Sequence, residues 1–372
     1  MARPNSVLHL GKYYPPHMGG MEIYLQHLVS GQSQVMEVSA IVANDLRRTQ
    51  VELLDGAEIT RVASLGVVAS MPITPTMAWH IRRSKADLVH LHTPNPGAAL
   101  ALLVGGHSGK LMITHHADTL WRKQIRRMSD PFVQKVIERA AAIIVTSKRY
   151  LETSVELAPF RDKCQIIPLG IDPTPFNGDH TAAGKSIRTK YGERLILAVG
   201  RLVPYKGFEY LIRSMKSVNG VLLLAGTGPL QDELQGCIQQ CGVQDKVIML
   251  GRVEDIAQYY KAVSIFVIPS ITRAEAFGVV QMEAMASGVP VINTDIPSGV
   301  PEVSVHGKTG LTVPPRDPVA LANAITLLLD NPALRLQFGE AARERVRDMF
   351  TVQQMVAQTM NVYDSVLSSS IG

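Results

Sequence analysis

Residues 263–283 read Val-Ser-Ile-Phe-Val-Ile-Pro-Ser-Ile-Thr-Arg-Ala-Glu-Ala-Phe-Gly-Val-Val-Gln-Met-Glu, and the parsing of this stretch decides the architecture. Its first six residues form an apolar, β-branched run of strand length, and a polar approach opened by Pro269 follows. Glu275 then precedes a turn and a helix expected over about residues 277–286. Free backbone N–H groups in the first turn of a helix favour an anion there, and Gly278 lets the backbone come close to it. Glu283 falls about two turns after that start, roughly 9 Å along the axis, so Glu275 and Glu283 bracket an elongated ligand rather than one atom.

The same alternation of short apolar run and helix-period segment recurs along the chain. That is the pattern of α/β architecture with parallel sheets covered by helices on both faces. Strands are expected near residues 7–10, 37–42, 58–62, 87–91, 111–114, 142–146 and 164–167, then near 194–199, 221–225, 247–250, 264–268, 289–292 and 311–313. The Pro- and Gly-rich segment 168–179 punctuates both helix and strand and separates the two sets. The expected domains are therefore 1–172 and 173–350, each doubly wound, with a helix in 351–372 packing back on the first. In such sheets a ligand lies outside the carboxyl ends of the strands, here in a cleft between the halves.

With 372 residues, 46% hydrophobic and 19% charged, the chain is long enough for two cores. It contains no run of about 18 apolar residues and opens on a strand-like segment without a secretory layout, which suggests a cytoplasmic protein. Cys164, Cys237 and Cys241 form neither a disulfide framework nor a zinc pattern. The net charge of +5 lies entirely in residues 1–172, which carry 19 Lys and Arg against 14 Asp and Glu; residues 173–372 carry 18 of each. The excess gathers at Arg82-Arg83-Ser84-Lys85 and Trp121-Arg122-Lys123-Gln124-Ile125-Arg126-Arg127, a mixture suited to an anionic membrane surface or a phosphorylated substrate. No nucleic-acid motif accompanies it.

Several loops at strand ends add polar groups. Gly19-Gly20 precede a helix start and suit a phosphate or a close backbone approach. A strand ends in His115-His116-Ala117-Asp118, and alternation along it turns only one of the two histidines toward a cleft. His90 and His92 share a strand face, but no third ligand marks a metal site there. Gly200-Arg201 and Lys206-Gly207 bound a loop whose two cations can neutralise a diphosphate. Gly226-Thr227-Gly228-Pro229 lacks the third glycine of a dinucleotide fingerprint, so NAD and FAD are excluded. Arg252 and Val253, after another strand, can line a base pocket.

Together these segments resemble the retaining glycosyltransferases of family 4, which have the GT-B fold and include bacterial mannosyltransferases of O-antigen and exopolysaccharide synthesis. The resemblance spans nearly the whole chain: Gly19 to Glu22, His116-Ala117-Asp118, Gly200-Arg201 with Lys206-Gly207, the Glu-x7-Glu stretch, and Thr309-Gly310-Leu311. It implies that Arg201 and Lys206 hold the nucleotide diphosphate with the amides of Phe277, Gly278 and Val279. It further implies that Glu275 meets donor-sugar hydroxyls, that Glu283 meets the ribose, and that His116 faces the donor sugar. Gly19, Gly20, Arg252 and Val253 complete the expected donor-binding set, with no metal and no cofactor beyond the donor itself. The implied reaction moves a hexosyl unit, mannosyl from GDP-mannose being the leading choice, to a hydroxyl of a glycan or lipid-linked acceptor. A UDP-hexose donor, a nucleotide-sugar epimerase of similar fold and a non-catalytic nucleotide-sugar-binding protein are the alternatives. Replacing Glu275, Arg201 or Lys206 by Ala is expected to remove transfer while leaving the fold intact.

Overall fold

The computed structural model describes residues 6–17, 19–68, 71–118 and 123–368, the last stretch in side-chain detail from residue 131 onward. The chain divides into two compact units. Unit 1 comprises Met1–Gly170 and Val352–Gly372, and unit 2 comprises Ile171–Thr351.

Unit 2 contains a six-stranded, wholly parallel sheet ordered Val247–Gly251, Val221–Ala225, Leu195–Val199, Ile265–Ile268, Val291–Thr294 and Gly310–Val313. Numbered along the chain this is the order 3-2-1-4-5-6. Leu195, Ile196, Leu197 and Ala198, like Ile265, Phe266 and Val267, are fully buried. Helices on both faces of a parallel sheet leave its strands no solvated side, which is why these runs are apolar without alternation. The helix Pro318–Asp330 is opened by Asp317, whose Oδ1 accepts from the amides of Val319 at 3.0 Å and Ala320 at 2.9 Å. Such a cap contributes about 1 kcal/mol.

Unit 1 is built on an eight-stranded sheet. Its order is Cys164–Ile166, Ala142–Val145, Lys110–His115, Leu88–Thr93, Ser6–Leu10, Glu37–Ala43, Ala57–Val62 and Gln50–Leu54. The last pairs antiparallel, a departure from the all-parallel expectation. It is joined to its neighbour through Asp55 and Gly56, both with positive φ (52° and 78°), the turn that an Asp-Gly pair between two apolar runs favours. The C-terminal helix Val352–Ser368 packs on the helix Gly20–Gln32, where Gly31 leaves room for Val356. The Lys110 ammonium donates to the carbonyl of Val366 at 2.6 Å near that helix's end.

Candidate functional site

Each sheet reverses its direction of winding once, and the loops leaving the strands on either side of that point are where an open α/β sheet offers its binding crevice. In unit 2 the reversal lies between Leu195–Val199 and Ile265–Ile268. The loops leaving these strands carry Arg201 and Lys206 on one side and Ser270 and Glu275 on the other.

Their backbones are laced together. The Ile271 amide donates to the Tyr205 carbonyl at 2.8 Å, and that of Leu202 to Thr227 at 3.0 Å. A Cβ on Gly226 would stand 1.9 Å from the Gly200 carbonyl oxygen, and one on Gly228 2.5 Å from that of Leu202. The Gly226-Thr227-Gly228 turn is therefore a packing device for the 200–202 loop.

On this scaffold Lys206 and Glu275 form a buried ion pair, Nζ to Oε2 2.5 Å, with each side chain 9% exposed. The Ser270 hydroxyl donates to the same Glu275 oxygen at 2.9 Å. Burial works against the Lys206 charge, but the Glu275 carboxylate, with Tyr205, outweighs it and raises the Lys206 pKa above its ordinary value. Lys206 is therefore fully cationic at neutral pH and held in place. Arg201 is exposed and has no carboxylate partner among the described residues. Removing either member of this buried pair would strand the other's charge, a cost that does not arise at the exposed Arg201.

The helix after Glu275 is Val279–Ala286, starting two residues later than expected, with Gly278 at φ +74 before it. Glu283 is thus about one turn from the helix start, roughly 6 Å of rise, rather than about two. Phe277 is buried and turns its ring into unit 2 against Phe350, at 5.9 Å and 82°. The Glu283 Oε2 accepts from the Tyr260 hydroxyl at 3.0 Å. Burial raises the Glu283 pKa, and the Tyr260 hydrogen bond opposes that rise. Arg252 is exposed and Val253 half-buried, just past the strand that ends at Gly251.

In unit 1 the reversal lies between Ser6–Leu10 and Leu88–Thr93, and it is lined by histidines. The parallel register sets His9 opposite His90. His9, His90, His92 and His116 are all buried, and their rings cluster: the centroids lie 4.5 Å apart for His90 and His92, 5.3 Å for His9 and His92, and 5.8 Å for His92 and His116. Tyr24 meets the His116 ring edge-on at 4.7 Å. Burial lowers all four pKa values, to about 4 for His9 and about 3 for His116, so every ring is neutral at pH 7.

His9 is the third histidine that the sequence reading lacked; nitrogens of His9, His90 and His92 lie within 4.8 Å of one another. His9 stands one strand away from the pair in space and about 80 residues away in sequence, so only the sheet order reveals it. His115, on the opposite side of its strand from His116, bonds Thr93 Oγ1 at 2.9 Å and Asp118 Oδ1 at 3.3 Å. The same Asp118 oxygen accepts from the Tyr150 and Ser154 hydroxyls at 2.7 and 2.5 Å, which anchors the loop carrying His116.

Gly19 is extended, at φ −163, and Gly20 begins the helix Gly20–Gln32. The position of a Cβ on Gly19 is taken by the Glu22 carboxylate, 2.3 Å away, so this helix start already faces an anion of its own. Arg82, Arg83 and Lys85 are exposed, and the Arg83 guanidinium stacks over the half-exposed Trp79 ring at 4.7 Å. In the second basic cluster, Trp121 and Arg122 and the side chains of residues 123–127 lie outside the described residues.

Residues 181–345 match the family described as glycosyl transferases group 1, and residues 18–174 match glycosyltransferase family 4. The chain is 31% identical over 270 residues to the D-rhamnosyltransferase WbpZ of Pseudomonas aeruginosa, covering 72% of this chain and 71% of that one. It is 26% identical to the O-antigen chain mannosyltransferase C of Escherichia coli, over 98% of this chain and 99% of the other. Its fold matches that of the sucrose-phosphate synthase of Thermosynechococcus elongatus with a TM-score of 0.81 and 24% identity, covering 98% of this chain and all of that one.

Proposed function

This chain belongs to glycosyltransferase family 4, the group 1 glycosyl transferases, and on that premise we propose that it transfers a mannosyl unit from GDP-mannose to a hydroxyl of a glycan or lipid-linked acceptor, with retention at the anomeric carbon and without a metal ion. The observation that carries the reading is the buried Lys206–Glu275 pair at the winding reversal of unit 2. A cation locked beside a carboxylate, ahead of a helix start with free amides, offers a diphosphate countercharge and a sugar hydroxyl an acceptor within one short span.

In this reading Lys206, Arg201 and the amides of Phe277, Gly278 and Val279 take up the charge that develops on the departing diphosphate. Such groups accelerate the chemical step because they bind the leaving group more tightly as its charge grows. Glu275, held by Lys206 and Ser270, accepts from donor-sugar hydroxyls, Glu283 accepts from the ribose, and His116 serves the sugar. Gly19, Gly20, Arg252 and Val253 complete the proposed donor set.

The mannosyl choice is supported by the whole-length similarity to an O-antigen mannosyltransferase. The lipid-linked acceptor, and contact with an anionic membrane at the inner face of the cytoplasmic membrane, are supported by the basic excess of residues 1–172 and the exposed Trp79, Arg82, Arg83 and Lys85. No helix among the described residues is long and apolar enough to cross a membrane.

The test is incorporation of labelled mannose from GDP-mannose into a lipid-linked glycan acceptor in the presence of a chelator, with the product's anomeric configuration read by NMR. An α-linked product formed at an undiminished rate supports the reading. A β-linked product, or transfer abolished by the chelator, contradicts it, and free epimerised sugar nucleotide without transfer would point to the epimerase alternative.

A further inference from the structure

We propose that Gln32, His9 and His92 are positioning residues that act as a tautomer relay, holding His116 with its proton on Nε2 and its Nδ1 lone pair available to accept a hydrogen bond from a substrate hydroxyl. The functional part of this inference rests on the reading of His116 as a group that serves the donor sugar; the relay itself rests on the buried contacts alone.

The contacts run in one line. Gln32 Oε1 lies 2.8 Å from His9 Nε2, His9 Nδ1 lies 3.0 Å from His92 Nε2, and His92 Nδ1 lies 3.5 Å from His116 Nε2. Gln32, His9 and His92 are at most 1% exposed, so water does not substitute for any of these partners. A neutral imidazole has one N–H donor and one bare acceptor, and which nitrogen is which is set by the bond the other makes. Burial keeps these rings neutral at pH 7, as described above.

The amide oxygen of Gln32 can only accept, so His9 carries its proton on Nε2 and presents a bare Nδ1. That acceptor requires a proton on His92 Nε2, which leaves His92 Nδ1 bare. His116 Nε2–H then donates to His92 Nδ1, and the one ring nitrogen of His116 left over is an acceptor. A single amide, 84 positions before His116 in sequence, thereby fixes what His116 presents at the end of its strand.

His90 belongs to the same cluster but not to the line. Its Nδ1 is bonded to the Tyr363 hydroxyl at 2.6 Å and its Nε2 to Thr114 Oγ1 at 2.7 Å. The alternative use of His9, His90 and His92 as a metal triad fits less well. Each of their six ring nitrogens already has a protein partner.

The experiment uses the full chain labelled with ¹⁵N-histidine. Two-bond proton–nitrogen correlations report the tautomer of each ring, and His116 is assigned by the signal lost in His116→Gln. The wild type is expected to show His116 as the pure Nε2–H form. His92→Phe keeps an aromatic ring but removes both nitrogens, and Gln32→Met removes the amide at the far end, two rings from His116. Both variants are expected to lose the single-tautomer pattern at His116 and to lower kcat about tenfold, with the donor KM within twofold.

Should His92→Phe fail to fold, as judged by its melting, Gln32→Met decides. An Nδ1–H form of His116 in the wild type, or an unchanged His116 pattern in a folded variant, overturns the relay. Wild-type turnover in His116→Gln would instead remove His116 from the reaction, while the correlation pattern still decides the relay.

Discussion

Removing one member of the Lys206–Glu275 pair is expected to cost more stability than the pair itself contributes. At 2.5 Å and an effective dielectric constant of about 20, the attraction between the two charges is about 6–7 kcal/mol. Taking the two ions out of water costs several kcal/mol each, so the intact pair is close to neutral for folding. In Glu275→Gln the ammonium stays nine-tenths buried against a neutral amide, and in Lys206→Met the carboxylate keeps, among the described residues, the Ser270 hydroxyl. Each single variant should lose about 3–5 kcal/mol. Unit 2 runs from residue 171 to residue 351, a size for which 1 kcal/mol moves the melting temperature by about 2–4 °C, so its transition should fall by about 6–20 °C. The double variant buries no unpaired charge and should lose far less than the sum of the two single losses, melting above either single variant. GDP should restore stability to Glu275→Gln, where a diphosphate again gives Lys206 a counterion, by about 2.7 kcal/mol at a hundredfold excess over its dissociation constant. At the same GDP concentration the gain should be smaller for Lys206→Met, which keeps Arg201 and the helix-start amides but loses one phosphate cation. Calorimetry on the four proteins, with and without GDP, reads all of this; strictly additive losses would show that the two groups do not act as a pair and refute the reasoning.

Three further outcomes follow from other parts of the structure. Arg201→Ala, at an exposed position, should leave the melting temperature within about 2 °C yet lower kcat/KM by about 10–150-fold, the value of one charge-assisted bond of about 1.5–3 kcal/mol; steady-state kinetics beside a thermal melt would separate the two effects. Gly226→Ala places a Cβ 1.9 Å from the Gly200 carbonyl at a φ of +143, and should destabilise unit 2 by about 2–4 kcal/mol while displacing the loop that carries Arg201, seen as a lower melting temperature with weaker GDP binding. The pH dependence of unit 1 follows from its neutral histidines. Their folded pKa values are depressed, to about 4 for His9 and about 3 for His116, so between there and the ordinary 6.5 the unfolded chain binds protons that the folded one does not. Stability is therefore complete above pH 6.5 and declines as the pH falls, by up to about 1.4 kcal/mol per pH unit for each histidine. Melting curves between pH 7.5 and 5.5 should show that decline, and a flat unit 1 transition over this range would contradict it.

Much of this architecture was legible from periodicity. The fully buried strands of unit 2, such as Leu195–Val199 and Ile265–Ile268, are uninterrupted apolar runs because both faces of their sheet are covered, and such runs stand out in sequence. The edge strand Gln50–Leu54 was not recognised: its Val51 and Leu53 are exposed, so burial imposes no pattern on it, and the signal that would have found it is Asp55-Gly56. The loops bearing Arg201, Lys206 and Glu275 could be located because each follows a strand, but the pairing of Lys206 with Glu275 depends on which two strands are neighbours across the winding reversal, a non-local fact. The same holds for His9, which the sheet order alone sets beside His90 and His92. The helix start was misplaced by two residues because Gly278, at φ +74, sits in the left-handed region and terminates the turn rather than joining the helix.

The central claim, a nucleotide-sugar transferase centred on Lys206 and Glu275 with GDP-mannose as donor, is tested most directly by measuring nucleoside-diphosphate release from a panel of GDP- and UDP-sugars by wild type and by the Lys206→Met/Glu275→Gln double variant. The account predicts that GDP-mannose is turned over fastest and that the double variant, though folded, loses at least a hundredfold, as expected when about 3 kcal/mol of leaving-group stabilisation is removed. Faster release from a UDP-hexose would overturn the donor assignment, and equal release by the double variant would contradict the site itself.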